Sequence, residues 1–253
     1  MSLVLLTHEG PVAWVRLARP RALNALDQAL TAQLDEALDR VSAMREVAVL
    51  VIAAQGRAFC AGNDLREMAT LSSAEAEELA GRQAALMDRF GRLPQVTIAA
   101  IDGHALGGGL MLALAQDLRI ASDRARFGLP EVTLGFNPAY GIARLLDVVA
   151  GGHARDLMLT GRTIRATDAL RMGLVNRVVA PPTLEASAAA WAAEIASIPR
   201  DGLAATKAIV ATIRAGGTPH EAHSFAALLA APAARDRLRA FQDRKDPDRE
   251  HRD

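Results

Sequence analysis

Two stretches place glycine in a turn shortly after an apolar run, a composition that lets the backbone itself do chemistry. They are "CAGNDL" (60–65) and "LGGGLM" (106–111). Glycine removes the Cβ that would hold a ligand away from the main chain. A helix starting just beyond leaves its first N–H groups unpaired and aimed at whatever sits at its N-terminus. Two such turns facing one point would offer two N–H donors to a single oxygen, as an oxyanion hole requires. The same glycines also suit close packing of helix on strand, and the residues alone leave both readings open. Other chemistries fail on spacing. Counting from Gly103, a phosphate loop needs lysine where Gly109 stands, and a dinucleotide fingerprint needs glycine where Ala105 stands. No G-x-S-x-G elbow supports a serine hydrolase. Cys60 reads as a packing residue. His220 and His223, three apart on a predicted helix, have no evident third partner, so no metal is expected.

Both turns are expected to follow buried strands. "VAVLVIAA" (47–54) and "QVTIAAIDG" (95–103) are short runs of the kind covered on both faces of a parallel sheet. Ligands in such sheets bind beyond the carboxyl ends of strands. Upstream, "LVLLTHE" and "VAWVRLA" flank Gly10-Pro11 as a hairpin, and 26–43 has helical spacing with Asp27 as its N-cap. A polar helix is expected from about Ser73 to Phe90, and further strands in "LRIASD" (118–123) and "GLVNRVVA" (173–180). Alternating strands and helices indicate an α/β fold. From Leu184 onward only helical patterns follow. The reading is therefore a strand-containing core over 1–195 and a helical region over 196–253, ending in a charged, solvated tail.

Composition narrows the function. Lys plus Arg and Asp plus Glu each number 29, the net charge is zero, and aromatic residues make up 4% of the chain. That balance argues against nucleic acid, which selects basic surfaces and stacking platforms. A single cysteine excludes internal disulfides and fits a reducing compartment. The start lacks a basic signal region, and no apolar run approaches the ~20 residues that span a bilayer. A soluble, cytoplasmic protein without membrane partners is expected.

Five segments occur in one order: "ARPRALNALD" (18–27), "GRAFCAGNDLREM" (56–68), "IAAIDGHALGGGLMLALAQDLRIAS" (98–122), "ARFGLPEVTLGF" (125–136) and "LTGRTIRATDALRMGLVNRVV" (159–179). In these the chain resembles the crotonase, or enoyl-CoA hydratase/isomerase, superfamily over roughly residues 3 to 245. The resemblance implies a spiral of repeated ββα units with a helical C-terminal trimerisation region. It also implies an acyl-CoA substrate, no cofactor beyond the coenzyme A of that substrate, and assembly as a homotrimer or dimer of trimers.

It further implies roles for particular residues. The backbone N–H groups of Asn63 and Gly108 would polarise a thioester carbonyl, with Ala61, Asp64, Leu65 and Gly107 around them. Hydratases of the superfamily carry one glutamate three residues after the middle glycine and another in F-G-x-P-E. Here the second is Glu131, and the first is replaced by Met111, one helical turn beyond Gly108. Apolar neighbours (Leu129, Pro130, Val132 and Leu134) would raise the Glu131 pKa by desolvation. One carboxylate suffices to move a proton from C2 to C4 of a 3-enoyl thioester, so isomerisation of the double bond is favoured over hydration. The alternatives are a true hydratase with an atypical second group, a CoA-thioester hydrolase, and a non-catalytic acyl-CoA binder. "NPAYGIA" (137–143) departs from the family's glycine-rich loop, which would aim Asn137 and Tyr140 into the pocket. Asp117 matches a position that is generally structural. Coenzyme A would lie along Arg21, Ala22 and Leu23, with Arg66 on its phosphates and Arg244 and Lys245 reaching a neighbouring subunit.

Overall fold

The computed structural model describes residues 2–245, with side chains to residue 242, so the charged tail and the side chains of Arg244 and Lys245 lie outside the described residues. β1 (Val4–Glu9) and β2 (Val12–Leu17) form the expected hairpin, with Glu9 opposite Val12. α1 (Gln28–Ala43) follows, capped by Asp27, whose carboxylate accepts from the Leu30 N–H at 2.7 Å. Next come β3 (Val49–Ala54), β4 (Ala58–Cys60), α2 (Leu65–Met68) and α3 (Ser73–Arg92). β5 (Val96–Ile101), β6 (His104–Leu106) and α4 (Gly108–Ala115) repeat the pattern. β7 (Leu118–Ser122) and β8 (Arg126–Gly128) precede a 3-10 turn at Pro130–Leu134, then α5 (Ile142–Val148) and α6 (Gly151–Thr160). β9 (Thr163–Arg165), α7 (Ala166–Arg171) and β10 (Arg177–Val179) complete the strand-bearing part. The chain then runs through α8 (Leu184–Ala196), α9 (Arg200–Arg214), α10 (Glu221–Ala230) and α11 (Pro232–Lys245).

The strands divide between two sheets. One has the order β1-β2-β3-β5-β7-β10, parallel except for the hairpin; the other has the order β4-β6-β8-β9, parallel except for β8 with β9. The pairs β3/β4, β5/β6 and β7/β8 each send their first strand to the larger sheet and their second to the smaller. This is the spiral of ββα units. All six residues of β5 are buried. Its Ala99 and Ile101 face the main core with α1, α3 and α4, while Val96, Ile98 and Ala100 face α8 through Ala188, Trp191 and Ala192. The period-2 split explains why the run shows no polar alternation.

Three features differ from the sequence reading. The smaller sheet has strands of three residues, too short for a period to register. The strand expected over 173–180 is confined to Arg177–Val179. Glu131 lies in a 3-10 turn, because Pro130 starts a helical turn and Gly135, at φ +89°, ends it at once. Further on, Asp117 has the structural role expected of it. Its Oδ2 accepts from the Thr97 N–H at 2.7 Å and hydroxyl at 3.0 Å, and pairs with Lys207 of α9 at 2.7 Å. Among the described residues no helix is long and apolar enough to cross a membrane.

Candidate active site

The two glycine turns meet. Gly62, at φ +101°, approaches the second turn so closely that a Cβ there would lie 2.9 Å from the Leu106 carbonyl and 3.4 Å from the Gly108 nitrogen. Asn63 forms a parallel bridge with Leu26, in which the Leu26 N–H donates to Gly62 O at 2.8 Å and the Asp64 N–H to Leu26 O at 3.0 Å. In such a bridge the N–H of the intervening residue, Asn63, points the other way. Gly107, at φ +51°, turns the chain into α4 and leaves Gly108 as the first helical residue. Neither the Asn63 nor the Gly108 N–H has a partner among the described residues, which is the expected state of a helix start and a bridge edge.

Each glycine of the triplet has its own neighbour. A Cβ at Gly107 would lie 2.7 Å from Glu131 Oε1. One at Gly108 would meet Asn63 Oδ1 at 2.5 Å and the Tyr140 hydroxyl at 2.7 Å, and one at Gly109 would strike the Cys60 carbonyl. The triplet is therefore a surface onto which a carboxylate, an amide and a phenol all fold.

Glu131 is half-buried, and its Oε2 is buried without a hydrogen-bond partner. Burial pushes its carboxyl above the ordinary glutamate range, opposed by its own backbone N–H. The sequence reading had the direction right, but Val132 and Leu134 are exposed, so part of the expected apolar shell is absent. The shielding comes instead from Gly107 and the pocket wall. Tyr140 is buried, and burial, followed by the charges of Cys60 and Glu131, disfavours its ionisation. Its hydroxyl donates to Asn63 Oδ1 at 3.2 Å, and Asn63 Nδ2 donates to Gln83 Oε1 of α3 at 2.9 Å. Met111 is 1% exposed and packs its sulfur against Gly141. Cys60 is fully buried, its thiol pushed up to about 12 by burial, which suits packing and not nucleophilic attack.

One cavity of about 110 Å³ gathers Asn63, Gly108 and Glu131 with Ala61, Leu65, Gly107, Met111, Asn137 and Tyr140. Asn137 is at its exposed edge, with its amide donating to Pro138 O at 2.8 Å. Leu134, named as an apolar neighbour of Glu131, also lines the cavity, as do Met68 and Phe136, which the sequence had not singled out. Arg21, Ala22 and Leu23 lie outside it in the 3-10 turn that starts at Pro20, connected to it because Leu23 O accepts from the Ala61 N–H at 3.0 Å. Arg66 is exposed on α2. Asp64 also lies outside the cavity. It caps α2 by accepting from the Arg66 N–H at 3.0 Å and pairs with Arg19 at 2.7 Å. Burial acts to raise its pKa, but the hydrogen bonds from Arg19 and the backbone hold it below the usual range.

Three supporting residues escaped the sequence reading. Arg19 joins Asp64 to Asp27 and donates to Ala25 O. Asn24, fully buried at φ +54°, donates to Gln55 O and Ala58 O and accepts from the Arg19 N–H. Gln83 is fully buried on the stripe of Leu79, Leu86, Met87 and Phe90. A lone glutamine on an apolar helical stripe was the available signal, since a buried amide needs a partner.

Comparisons with known proteins bear on the family and the fold. The enoyl-CoA hydratase/isomerase family model matches residues 7–250. A probable enoyl-CoA hydratase of Rhizobium meliloti is 38% identical over an alignment of 257 positions covering 98% of each chain. A short-chain-enoyl-CoA hydratase of Clostridium acetobutylicum is 39% identical over 196 residues, 77% of this chain and 75% of that one. Among solved structures, an enoyl-CoA hydratase of Mycobacterium smegmatis superposes with a TM-score of 0.90 at 33% identity, covering 96% of this chain and 97% of the other. With this match along nearly its whole length, and a spiral of ββα units beneath it, the chain belongs to the enoyl-CoA hydratase/isomerase family of enzymes.

Proposed function

We propose that this enzyme moves the double bond of a 3-enoyl-CoA thioester into conjugation, faster than it hydrates a 2-enoyl-CoA. The thioester oxygen lies between the Asn63 and Gly108 N–H groups. Glu131 takes a proton from C2, and the electron pair delocalises onto the thioester oxygen as a dienolate that those N–H groups stabilise. The same carboxyl then returns the proton at C4. No cofactor takes part beyond the coenzyme A of the substrate. Its adenine end lies by Arg21, Ala22 and Leu23, with Arg66 pairing with phosphate. Arg21 and Arg66 have no ion-pair partner among the described residues, which leaves both free for this.

The observation that carries the reading is the carboxylate inventory of the cavity. Glu131 is the one carboxylate among its described lining residues, and Met111 holds the position one helical turn beyond Gly108. Hydration needs water activated and a proton delivered to C2, two tasks that a thioether cannot share. Purified enzyme offered a 2-enoyl-CoA and a 3-enoyl-CoA in parallel should isomerise the second with the higher kcat/KM. Hydration of the first at an equal or higher kcat/KM overturns the proposal.

A second reading, hydration with Tyr140 as the atypical second group, has two supports. Relatives at 38–39% identity are named hydratases, and the Tyr140 hydroxyl belongs to the cavity. The same assay separates the two. Self-association into a homotrimer or dimer of trimers through the helical region from residue 196 onward is part of the proposal.

A further inference from the structure

Tyr140 borders two cavities. One is the acyl pocket; the other is a cleft of about 800 Å³ between α3, α5 and α9, and Ala139 and Tyr140 line both. Gly141 lines the cleft while its other side receives the Met111 sulfur. The partition between pocket and cleft is therefore the Tyr140 ring and its two neighbours, backed by Met111.

The ring is pinned. Its hydroxyl donates to Asn63 Oδ1, and Asn63 in turn donates to the fully buried Gln83. Swinging the ring aside would leave the half-buried Asn63 carbonyl without this donor, which costs free energy. The relay also satisfies the carbonyl of the buried Gln83 amide, whose Nε2 has no partner among the described residues.

The two sides of the partition differ in chemistry. On the pocket side lie Met111, Pro138 and, at the mouth, Leu134 and Phe136. The cleft side carries ion pairs set among Ala84, Leu146, Val210 and Ala211. Arg144 pairs with Asp88, Arg214 with Asp147 at 3.1 Å and Lys207 with Asp117 at 2.7 Å. An alkyl tail pushed through would have to displace the ring and strip water from those charged groups, which costs free energy.

We infer that Tyr140 is the chain-length determinant of this enzyme, which takes short acyl groups and stops longer ones at the phenol ring. The inference rests on the acyl-CoA reading of the pocket. The test is kcat/KM for enoyl-CoA thioesters of four, six, ten and twelve carbons with wild type, Tyr140→Phe and Tyr140→Ala. The ratio between lengths within each protein is the readout, so an overall loss of rate does not affect it. In wild type the ratio should drop about 10- to 200-fold where the tail first meets the ring, the discrimination pockets achieve against one excess methylene. Tyr140→Phe keeps the ring and should keep the cut-off, and Tyr140→Ala should shift it to longer chains. Wild type that handles twelve carbons as well as four overturns the inference, because the tail then leaves over Leu65, Leu134 and Phe136. An unchanged cut-off in Tyr140→Ala also overturns it. If that variant does not fold, Tyr140→Leu replaces it, and the wild-type series is decisive by itself. Absence of both binding and turnover at every length would instead refute the acyl-CoA reading, so the two failures are distinguishable.

Discussion

Met111 and Glu131 line the same cavity with opposite chemistry, one unable to ionise and the other reluctant to. Replacing Glu131 with glutamine preserves shape but deletes the acid/base, so kcat should fall about 10²–10⁴-fold, the usual contribution of a positioned proton-transfer group. Steady-state kinetics on a 3-enoyl-CoA would measure it, and retention of full turnover would remove Glu131 from the mechanism. The pH dependence follows from the raised pKa. Only the deprotonated carboxylate abstracts a proton, so kcat/KM should decline as pH drops through a value above the ordinary glutamate range. A pH–rate profile whose acid limb lies at or below that range contradicts the role. Met111→Glu makes the complementary test. It adds a carboxylate at a position 1% exposed, so the ratio of hydration to isomerisation should rise at least about tenfold. The melting temperature should fall, because an unpaired buried carboxyl is costly. An unchanged ratio would mean that position 111 does not control the partition between the two reactions.

At the scale of elements, the start of α4 is the decisive feature, and its three glycines make separable predictions. Gly108→Ala directs a methyl at two side-chain ends, Asn63 Oδ1 and the Tyr140 hydroxyl. Those groups can shift, so the protein should fold, with an oxyanion site disturbed by about 10²–10³ in kcat, the typical cost of losing one donor. Gly109→Ala directs its methyl at the Cys60 carbonyl, part of the backbone of β4. Here stability should suffer, by about 1–3 kcal/mol as for other overpacked cores. Paired kinetic and chemical-denaturation measurements would show whether the costs separate this way. Much of this element level was legible beforehand. The long segments revealed β3, β5 and α1, because burial on both faces of a strand leaves an unbroken apolar run and burial on one face of a helix leaves a period. The strands β4, β6, β8 and β9 left none, since three residues contain barely one alternation. The 3-10 turn holding Glu131 was equally invisible, since its five residues are too few to show a helical period.

For the whole molecule, the helical region after α8 combines a firm anchor with an apolar exterior. Lys207 of α9 reaches into the sheet, donating to Gln95 O at 2.7 Å and pairing with Asp117. Beyond it, Val210, Ile213, Phe225, Leu229 and Leu238 are exposed large hydrophobic residues along α9, α10 and α11. Exposed apolar residues of this kind are what the proposed self-association would cover. Sedimentation or light scattering should report three or six copies of the 26.8 kDa chain, and Ile213→Glu with Leu229→Glu should shift the mass toward one copy. A wild-type monomer at micromolar concentration would count against the assembly.

By itself the sequence determined the inventory of the chemistry: two glycine turns able to expose backbone N–H groups, one carboxylate in F-G-x-P-E, and a methionine where a second acid would ionise. The glycine turns are properties of residue types; the roles of the carboxylate and of the methionine came with the family resemblance. Only the tertiary structure decided which groups meet. Tyr140 and Asn63 are 77 residues apart, and Asn63 and Gln83 are 20 apart on different elements. Their contact depends on how β4 and β6 register and how α3 packs across α4. Register and packing are set by the summed burial of many side chains, so no local pattern encodes them. For that reason the two glycine turns could be read in advance, while the tyrosine between two cavities could not.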